Sequence, residues 1–340
     1  MRFGLALLLI VASLSAWAGA GKLTNSVKTK VTVTPPETPE QVAGRCAPVN
    51  LRSTLGPVRN QDDLYWCYAF TAADMVSQAL RQEKSGLVGL TADGVLRDDV
   101  SALHVTGSHQ LRKRQNLLDH QKQGGNIAEA ARSAIARGRL CRESELSSQG
   151  GTRNPELVRL QEASQRSRSA ENRSQMNQRL SEELIQSRCR AAEMDMQVLS
   201  FGSDTRASEY ARNDSVSENR KLRQEMDKAL NQGRMAGIGF RSAFMMDRPG
   251  HRYHAVGIIG RKMINGKCNY LVRDSYGPGC RSDYHPEYRK RCQNGETWVE
   301  EDALVKNIAT VNYIPASEKT ANDWREKVDK AGLTPTEGVQ

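Results

Sequence analysis

The chain has few of the features that would place it in a membrane or on nucleic acid. Beyond residue 20, no segment approaches the roughly 18 consecutive apolar residues of a membrane-spanning helix. Aromatic residues make up only 5% of the sequence, and no recognised nucleic-acid-binding motif accompanies its net charge of +10. We therefore expect no membrane span and no nucleic-acid partner, and we interpret the positive charge as a property of the surface.

The spacings of metal-binding sites are also missing. His104, His109 and His120 match no zinc pattern, so we expect them on the surface or in loops. His251 and His254 are three residues apart, but no third ligand lies near them in the sequence. We expect no metal and no cofactor.

The first residues have the layout of a secretory signal peptide. Arg2 precedes an apolar run, and small residues before position 21 provide a cleavage site, so residues 1–20 are predicted to be removed on export. Residues 21–45 contain prolines and no apolar periodicity, which predicts an extended linker with no room for a long inhibitory pro-segment. The mature protein is expected in a periplasm or outside the cell.

Exported chains form disulfides, and the seven cysteines of this chain are an odd number. If six of them pair, one thiol stays free, and Cys67 is the natural candidate. The other six allow 15 connectivities, of which sequence favours only a Cys280–Cys292 pair, because these residues bracket one loop. Cys280, His285 and Cys292 could also bind zinc, but in an exported protein we prefer a disulfide.

Cys67 stands at the start of an amphipathic segment. Apolar residues recur at positions 69, 72, 73, 76, 79 and 80, which predicts a helix over about 67–83. A cysteine in the first turn of a helix meets unpaired backbone N–H groups and the positive end of the helix dipole, and both favour the nucleophilic thiolate. Gln61 offers an amide donor that, with the Cys67 backbone N–H, would bind an oxyanion.

Two predicted strands in the last third of the chain supply the partners that a catalytic thiol needs. Residues 253–260 and 269–273 have strand patterns, and a hairpin between them would bring His254 close to Asp274. An imidazole must take the thiol proton and later give it to the leaving amine, and a third group must hold the ring in position.

Taken together, these motifs resemble those of the papain-like cysteine peptidases. Four matches occur in the family's order: Gln61 with Cys67, Gly124-Gly125, His254, and Asp274. There are also departures. Leu64, Tyr65 and Trp66 replace the residues usual before the nucleophile, and Asp274-Ser275-Tyr276-Gly277 stands where the family has Asn-Ser-Trp-Gly. The match covers about residues 48–140 and 222–314.

The resemblance implies an α+β fold of two lobes, a helical lobe carrying Cys67 and a β-barrel lobe carrying His254 and Asp274. The peptidase domain would span residues 46–314. The separation of Cys67 and His254 exceeds the family's roughly 130–150 residues, and a mostly helical insertion at 142–221 accounts for the excess. Residues 315–340 are polar and are expected to be a tail with a short helix.

The resemblance also implies an activity, the hydrolysis of a peptide or protein substrate through a thioester acyl-enzyme. Cys67 would attack, His254 would act as base and then acid, Asp274 would orient it, and Gln61 would stabilise the oxyanion. In addition, Gly124 and Gly125 would pair with the extended substrate backbone, and Tyr276 would shield the hydrogen bond between His254 and Asp274.

Two alternatives from other classes stay open. A Cys-His-Asp set also serves acyl transfer, in which an amine replaces water. Alternatively, the chain is an inactive papain-like module that binds a protein partner through the 142–221 insertion, with the cleft blocked by Asp62, Tyr65 and Trp66.

Overall fold

A computed structural model describes residues 37–83, 98–115, 117, 124–165, 169–192, 194–202, 216–247 and 253–330. The predicted signal peptide, most of the predicted linker, His120 and His251 lie outside these residues. No helix in the described ranges is long and apolar enough to cross a membrane.

The described chain is a mixed α+β structure. The helices are α1 (Pro39–Arg45), α2 (Cys67–Glu83), α3 (Ala102–Arg112), α4 (Ile127–Ala136), α5 (Pro155–Gln165), α6 (Ala170–Arg188), α7 (Val216–Asn231), α8 (Pro286–Arg291), α9 (Glu301–Val305) and α10 (Glu318–Lys330). The strands are β1 (Val49–Asn50), β2 (Arg139–Leu140), β3 (Arg190–Ala191), β4 (Leu199–Gly202), β5 (Ala236–Arg241), β6 (Tyr253–Ile264), β7 (Lys267–Arg273), β8 (Cys292–Gln293), β9 (Glu296–Glu300) and β10 (Ile308–Tyr313).

Helix α2 is the centre of the helical half, with the bounds that its apolar periodicity predicts. Helices α3 and α4 pack against it, and the alanines on its buried face allow their backbones a close approach. Helix α4 is capped at its start, because the Asn126 side chain accepts a hydrogen bond of 2.9 Å from the Glu129 backbone N–H.

The other half is one antiparallel sheet in the order β4-β10-β5-β6-β7-β9-β8, with β1 paired to β6. The predicted hairpin is the β6–β7 pair, and it turns at Asn265 and Gly266, which both have positive φ. Asn-Gly suits such a turn, because its backbone matches the twist of the strands. Strand β6 packs on α2, and this contact joins the helical half to the sheet.

The prediction of an extended linker is wrong for Pro39–Arg45, which form helix α1. Thr38 and Gln41 make a reciprocal capping box, and a proline at the first helical position already has a helical φ. The Cys46–Cys268 disulfide attaches the end of this helix to β7. These local start signals outweigh the lack of apolar periodicity.

The expectation of surface histidines is wrong for His104 and His109. Both lie on α3, which is covered by α2, α4 and α6, and both side chains are buried. Burial lowers the pKa of His104 to about 4, with a smaller contribution from Arg137.

The segment 142–221 is largely helical in its described part, with α5, α6 and the start of α7. It also contributes a strand to the main sheet, because β4 pairs with β10. The Cys141–Cys189 disulfide fastens the end of α6 beside β2, and Leu157 and Ile185 are buried in the core. The described part of this segment is therefore integrated into the fold.

The chain ends its described part on α10, which packs over the end of α7. A Cβ added to Gly233 would lie 2.6 Å from the ring of Trp324, and the positive φ of this glycine suits its place just after the end of α7.

Candidate active site

All seven cysteines lie in the described ranges, and six of them form the pairs Cys46–Cys268, Cys141–Cys189 and Cys280–Cys292. The Cys280–Cys292 prediction is confirmed. The zinc alternative for this loop is wrong, because a disulfide offers no thiolates. Cys67 is the free cysteine, as predicted.

Cys67 is the first residue of α2, and its side chain is half-buried. The Trp66 carbonyl starts the helix by accepting hydrogen bonds from the N–H groups of Ala69 and Phe70. Trp66 itself is buried, so it anchors the start of the helix below the surface and does not block the cleft. Tyr65 is 56% exposed on the rim of the cavity that contains the thiol.

The sheet presents an imidazole to this thiol. His254 is the second residue of β6 and lines the same cavity as Cys67. Its Nε2 lies 2.7 Å from Oδ1 of Asp274, the residue that follows β7. The antiparallel pairing of β6 and β7 brings the start of one strand beside the end of the other, so the predicted proximity of His254 and Asp274 is observed.

Asp274 is buried, and its carboxylate is fully used. Besides His254, Oδ1 accepts a hydrogen bond of 2.7 Å from the Ser275 N–H, and Oδ2 accepts one from the Tyr284 hydroxyl. Burial raises the pKa of Asp274, but the charge of His254 and these hydrogen bonds outweigh burial and lower it below the ordinary value. Asp274 is therefore held as a carboxylate.

This carboxylate decides the protonation of the imidazole. Burial alone would lower the pKa of His254, but the negative charges of Asp274 and Cys67, together with their hydrogen bonds, raise it well above the ordinary value of 6.5. The arrangement stabilises the charged, imidazolium form of His254.

Gln61 reaches the same site from the segment before α2. Its backbone N–H donates to the Ser275 carbonyl at 2.7 Å, and its Oε1 accepts from the Ser275 hydroxyl. One N–H of its side-chain amide donates to the Leu64 carbonyl at 2.6 Å. An amide nitrogen carries two donors, so a second N–H is left for a ligand beside Cys67.

Tyr276 covers the imidazole on one side. Its ring centroid is 5.5 Å from that of His254, with the planes tilted by 33°. The guanidinium carbon of Arg281 lies 3.9 Å from the centroid of the same ring. Tyr276 therefore contacts both His254 and Arg281.

The glycine pair precedes α4. A Cβ added to Gly125 would lie 2.6 Å from the Tyr68 ring, whereas one added to Gly124 would meet no atom within 4 Å. The first glycine therefore leaves open space at the cavity, and the second allows the segment to lie directly on the buried tyrosine.

One cavity of about 410 Å³ collects these residues. Of the predicted site residues, six line it and Asp274 lies behind His254. The six are Gln61, Cys67, Gly124, Gly125, His254 and Tyr276. The cavity size is in the range of peptide and small-ligand sites.

A buried ion network, which sequence reasoning missed, connects three of the site segments. Asp74, two turns after Cys67 on α2, binds Arg59 at 2.5 Å and Arg273 at 2.9 Å. Arg59 lies two residues before Gln61, and Arg273 immediately precedes Asp274. Burial raises the pKa of Asp74, but the two arginines outweigh it and lower the pKa. No local pattern signals this network, since its members are far apart in sequence.

Tyr284 and Arg281 were also missed. Both lie in the loop that the Cys280–Cys292 disulfide closes, which the cysteine spacing did indicate as a constrained segment. That they turn back onto the site is a property of the folded loop alone.

Among the described residues, one cluster has the composition of a metal centre. His104 Nδ1 lies 3.5 Å from Cys189 Sγ, and Cys141 completes the group. The two cysteines form a disulfide, so the cluster lacks the thiolates that a zinc site of this type requires.

Comparisons with known proteins give matches in structure only. No family model matches the chain, and no curated protein matches its sequence. The bromelain protease from Ananas comosus is 13% identical with a TM-score of 0.45, over 80% of this chain and 99% of that one. A structure on the mite allergens Blo t 1 and Der p 1 is 14% identical with a TM-score of 0.44, over 84% and 73%.

The Amb a 11 cysteine protease, a ragweed pollen allergen solved in its proform, is 13% identical with a TM-score of 0.45, over 80% of this chain and 67% of that one. Likeness at these identities and TM-scores transfers no activity to this chain. These solved structures, to which the α+β chain is similar, are papain-like cysteine proteases.

Proposed function

We propose that this protein is a cysteine peptidase that hydrolyses peptide bonds through a thioester acyl-enzyme. The observation that carries the proposal is that the free thiol of Cys67, at the first turn of a helix, lines one cavity with an imidazole that is itself held by a buried carboxylate. A thiolate at a helix start is a nucleophile, and an imidazolium beside it is a proton donor.

In the reaction, the Cys67 thiolate attacks the carbonyl carbon, and the carbonyl oxygen becomes an oxyanion. The Cys67 backbone N–H and the free amide N–H of Gln61 stabilise that charge. The His254 imidazolium gives its proton to the leaving amine, and the C–N bond breaks to leave a thioester. The neutral His254 then takes a proton from water, whose oxygen attacks the thioester carbon. The C–S bond breaks, which releases the acid and restores the Cys67 thiolate beside the His254 imidazolium.

Asp274 keeps the imidazole in position and stabilises its charged form. It has no proton to exchange, because the charge of His254 and the hydrogen bonds that it accepts hold its pKa below the ordinary value. Gly124 offers open backbone to an extended substrate, and Tyr276 excludes water from the bond between His254 and Asp274.

We infer that the substrate is a peptide or protein and that the protein works in an exported state. Three disulfides are the cysteine usage of an oxidising compartment. The described part of the 142–221 segment packs into the fold, and a partner-binding role for its exposed face remains a prediction.

Alkylation of Cys67 by iodoacetamide, from about pH 4 to about pH 9, tests the ion pair. We expect fast labelling below neutral pH in the wild type and a collapse of that labelling in His254→Ala, with Cys67→Ser as the blank. Slow labelling that rises only near about 8.5, the pKa of an ordinary free thiol, would contradict the mechanism.

Peptide hydrolysis by Gln61→Ala separates the oxyanion site from the nucleophile. Alkylation forms no oxyanion, so its rate should stay at the wild-type value, while kcat falls by about 100-fold to 1,000-fold. An unchanged kcat would remove Gln61 from the mechanism. An added amine in the same assay distinguishes hydrolysis from acyl transfer by the product formed.

A further inference from the structure

Arg281 is a fixed arginine on the wall of the active-site cavity. Its Nε and Nη2 each donate to Asp283 at 2.7 Å, one to each carboxylate oxygen, and its guanidinium carbon lies 3.9 Å from the centroid of the Tyr276 ring. Its side chain is only 12% exposed. The bidentate ion pair and the contact with the ring hold the guanidinium in place before any ligand arrives.

The third nitrogen of this guanidinium, Nη1, takes no part in these contacts. Because Arg281 lines the same cavity as Cys67 and His254, its remaining donors are available to an occupant of that cavity. Asp283 offsets the positive charge of Arg281, so what Arg281 offers a ligand is mainly two N–H donors of fixed direction. Donors of this kind recognise a carboxylate oxygen.

The other groups of the cavity favour the same ligand. No aspartate or glutamate is among the described residues that line it. Behind the wall, Asp274 is occupied by His254, Ser275 and Tyr284, and Asp283 is occupied by Arg281. In the proposed mechanism, the negative charge among the described lining residues is the Cys67 thiolate, which attacks the scissile carbonyl. An anion on the side of Tyr276 meets the Arg281 guanidinium.

The topology locates Arg281 relative to the scissile bond. From His254, strand β6 runs through Ala255 into the sheet, where Ala255 pairs with Gly239 and both line the cavity. Tyr276 and Arg281 instead follow the end of β7, where the chain has left the sheet. The wall formed by Ala255 and Gly239 therefore extends from the imidazole in one direction along β6, and the wall formed by Tyr276 and Arg281 extends in the other.

We propose that Arg281 binds a carboxylate in the leaving half of the substrate, so that the protein prefers peptides with an acidic group after the scissile bond. The inference rests on the proposed function, because it takes the glycine pair and the Gly239 wall as the side that holds the acyl half. The carboxylate belongs to a glutamate or aspartate side chain or to the free C-terminus of the peptide, and the test separates these sources.

The test compares three acetylated peptides that share one acyl half. The first carries Glu in the leaving half and a C-terminal amide, the second carries Gln and an amide, and the third carries Gln and a free carboxylate. We expect the wild type to prefer one of the carboxylate peptides over the uncharged one by about tenfold in kcat/KM, the size of one charged hydrogen bond. Arg281→Gln should reduce this ratio to about one.

Arg291→Gln is the matched control, since Arg291 lies on α8 outside the cavity with a loose pair to Glu300. It makes the same charge change and should keep the wild-type ratio. A ratio near one in the wild type, or an unchanged ratio in Arg281→Gln, overturns the proposal.

Binding of the same peptides to Cys67→Ala, measured by calorimetry, tests Arg281 without turnover. If the wild type cleaves nothing, the proposed function fails, and this binding decides Arg281 by itself. Affinity about tenfold higher for a carboxylate peptide, lost on adding Arg281→Gln, supports the proposal. Equal affinities, or no measurable binding of either carboxylate peptide, overturn it.

Discussion

The close contact between the glycine pair and α2 gives the sharpest test of the packing around the site. In Gly125→Ala, the new Cβ would lie 2.6 Å from two ring carbons of Tyr68. Ordinary carbon contacts begin near about 3.5 Å, so ring and helix must separate by about 0.9 Å. In Gly124→Ala, the new Cβ meets open space, which makes the neighbouring position a matched control.

The structure sets the size of the effect. Tyr68 is buried, its hydroxyl accepts a hydrogen bond of 3.2 Å from Gln110, and its ring lies 5.5 Å from that of His109. The ring therefore has no free space in which to move. Overpacking of this kind costs about 1–3 kcal/mol, and loss of the hydroxyl contact adds about 1 kcal/mol, so we expect Gly125→Ala to lose about 2–4 kcal/mol.

Urea unfolding of the two variants measures this difference. Gly125→Ala should lower the unfolding midpoint with an unchanged slope, whereas Gly124→Ala should stay within about 0.5 kcal/mol of the wild type. Equal losses in both variants, or no loss in either, would refute the reasoning that the second glycine is needed for contact with Tyr68.

The remaining predictions concern the charged groups. Asp74→Asn leaves Arg59 and Arg273 buried without their shared carboxylate, and we expect a loss of about 3 kcal/mol in urea unfolding, the lower end of the usual range because each arginine keeps a second acidic partner. Asp274→Asn removes the larger of the two charges that raise the pKa of His254, so that pKa falls. Iodoacetate is attracted by the imidazolium and iodoacetamide is not. As the pH rises, the ratio of the iodoacetate rate to the iodoacetamide rate should therefore begin to decline at a lower pH in Asp274→Asn than in the wild type.

The raised pKa of His254 also makes the stability of the protein depend on pH. Because the folded pKa of His254 is raised, its contribution to stability is present below about 6.5 and is lost as the pH rises through the folded value. Asp302→Asn, a change of the same charge at an exposed position, is the control for both experiments. A loss below about 0.5 kcal/mol for Asp74→Asn, or identical pH profiles for Asp274→Asn and the wild type, would contradict the respective prediction.

Several elements followed from the sequence because their causes are local. Helix α2 begins at Cys67 and ends at Glu83 as the apolar periodicity predicts, and Asn126 caps α4 through a bond to a residue three positions on. Helix α1 also has a local cause, the Thr38–Gln41 capping box, which the absence of apolar periodicity concealed. Each of these signals acts within a few residues, so each can be read along the chain.

The composition of the candidate site was also readable, because the chemistry requires particular residue types. A free thiol at a helix start and a histidine and carboxylate on one hairpin led to Cys67, His254 and Asp274, and these side chains lie together in the structure. The free state of Cys67 and the Cys280–Cys292 pair followed from the count and spacing of cysteines.

What only the tertiary structure decided depends on contacts between distant segments. His104 and His109 are buried because three other helices cover α3, although their own sequence is polar. Arg59, Asp74 and Arg273 pair across most of the chain. Hydrophobic periodicity tells which face of an element is covered, but it carries no information on which buried charges meet. Those partners are selected by the packing of α2 against the sheet, where each ion must find an opposite charge to offset its loss of water.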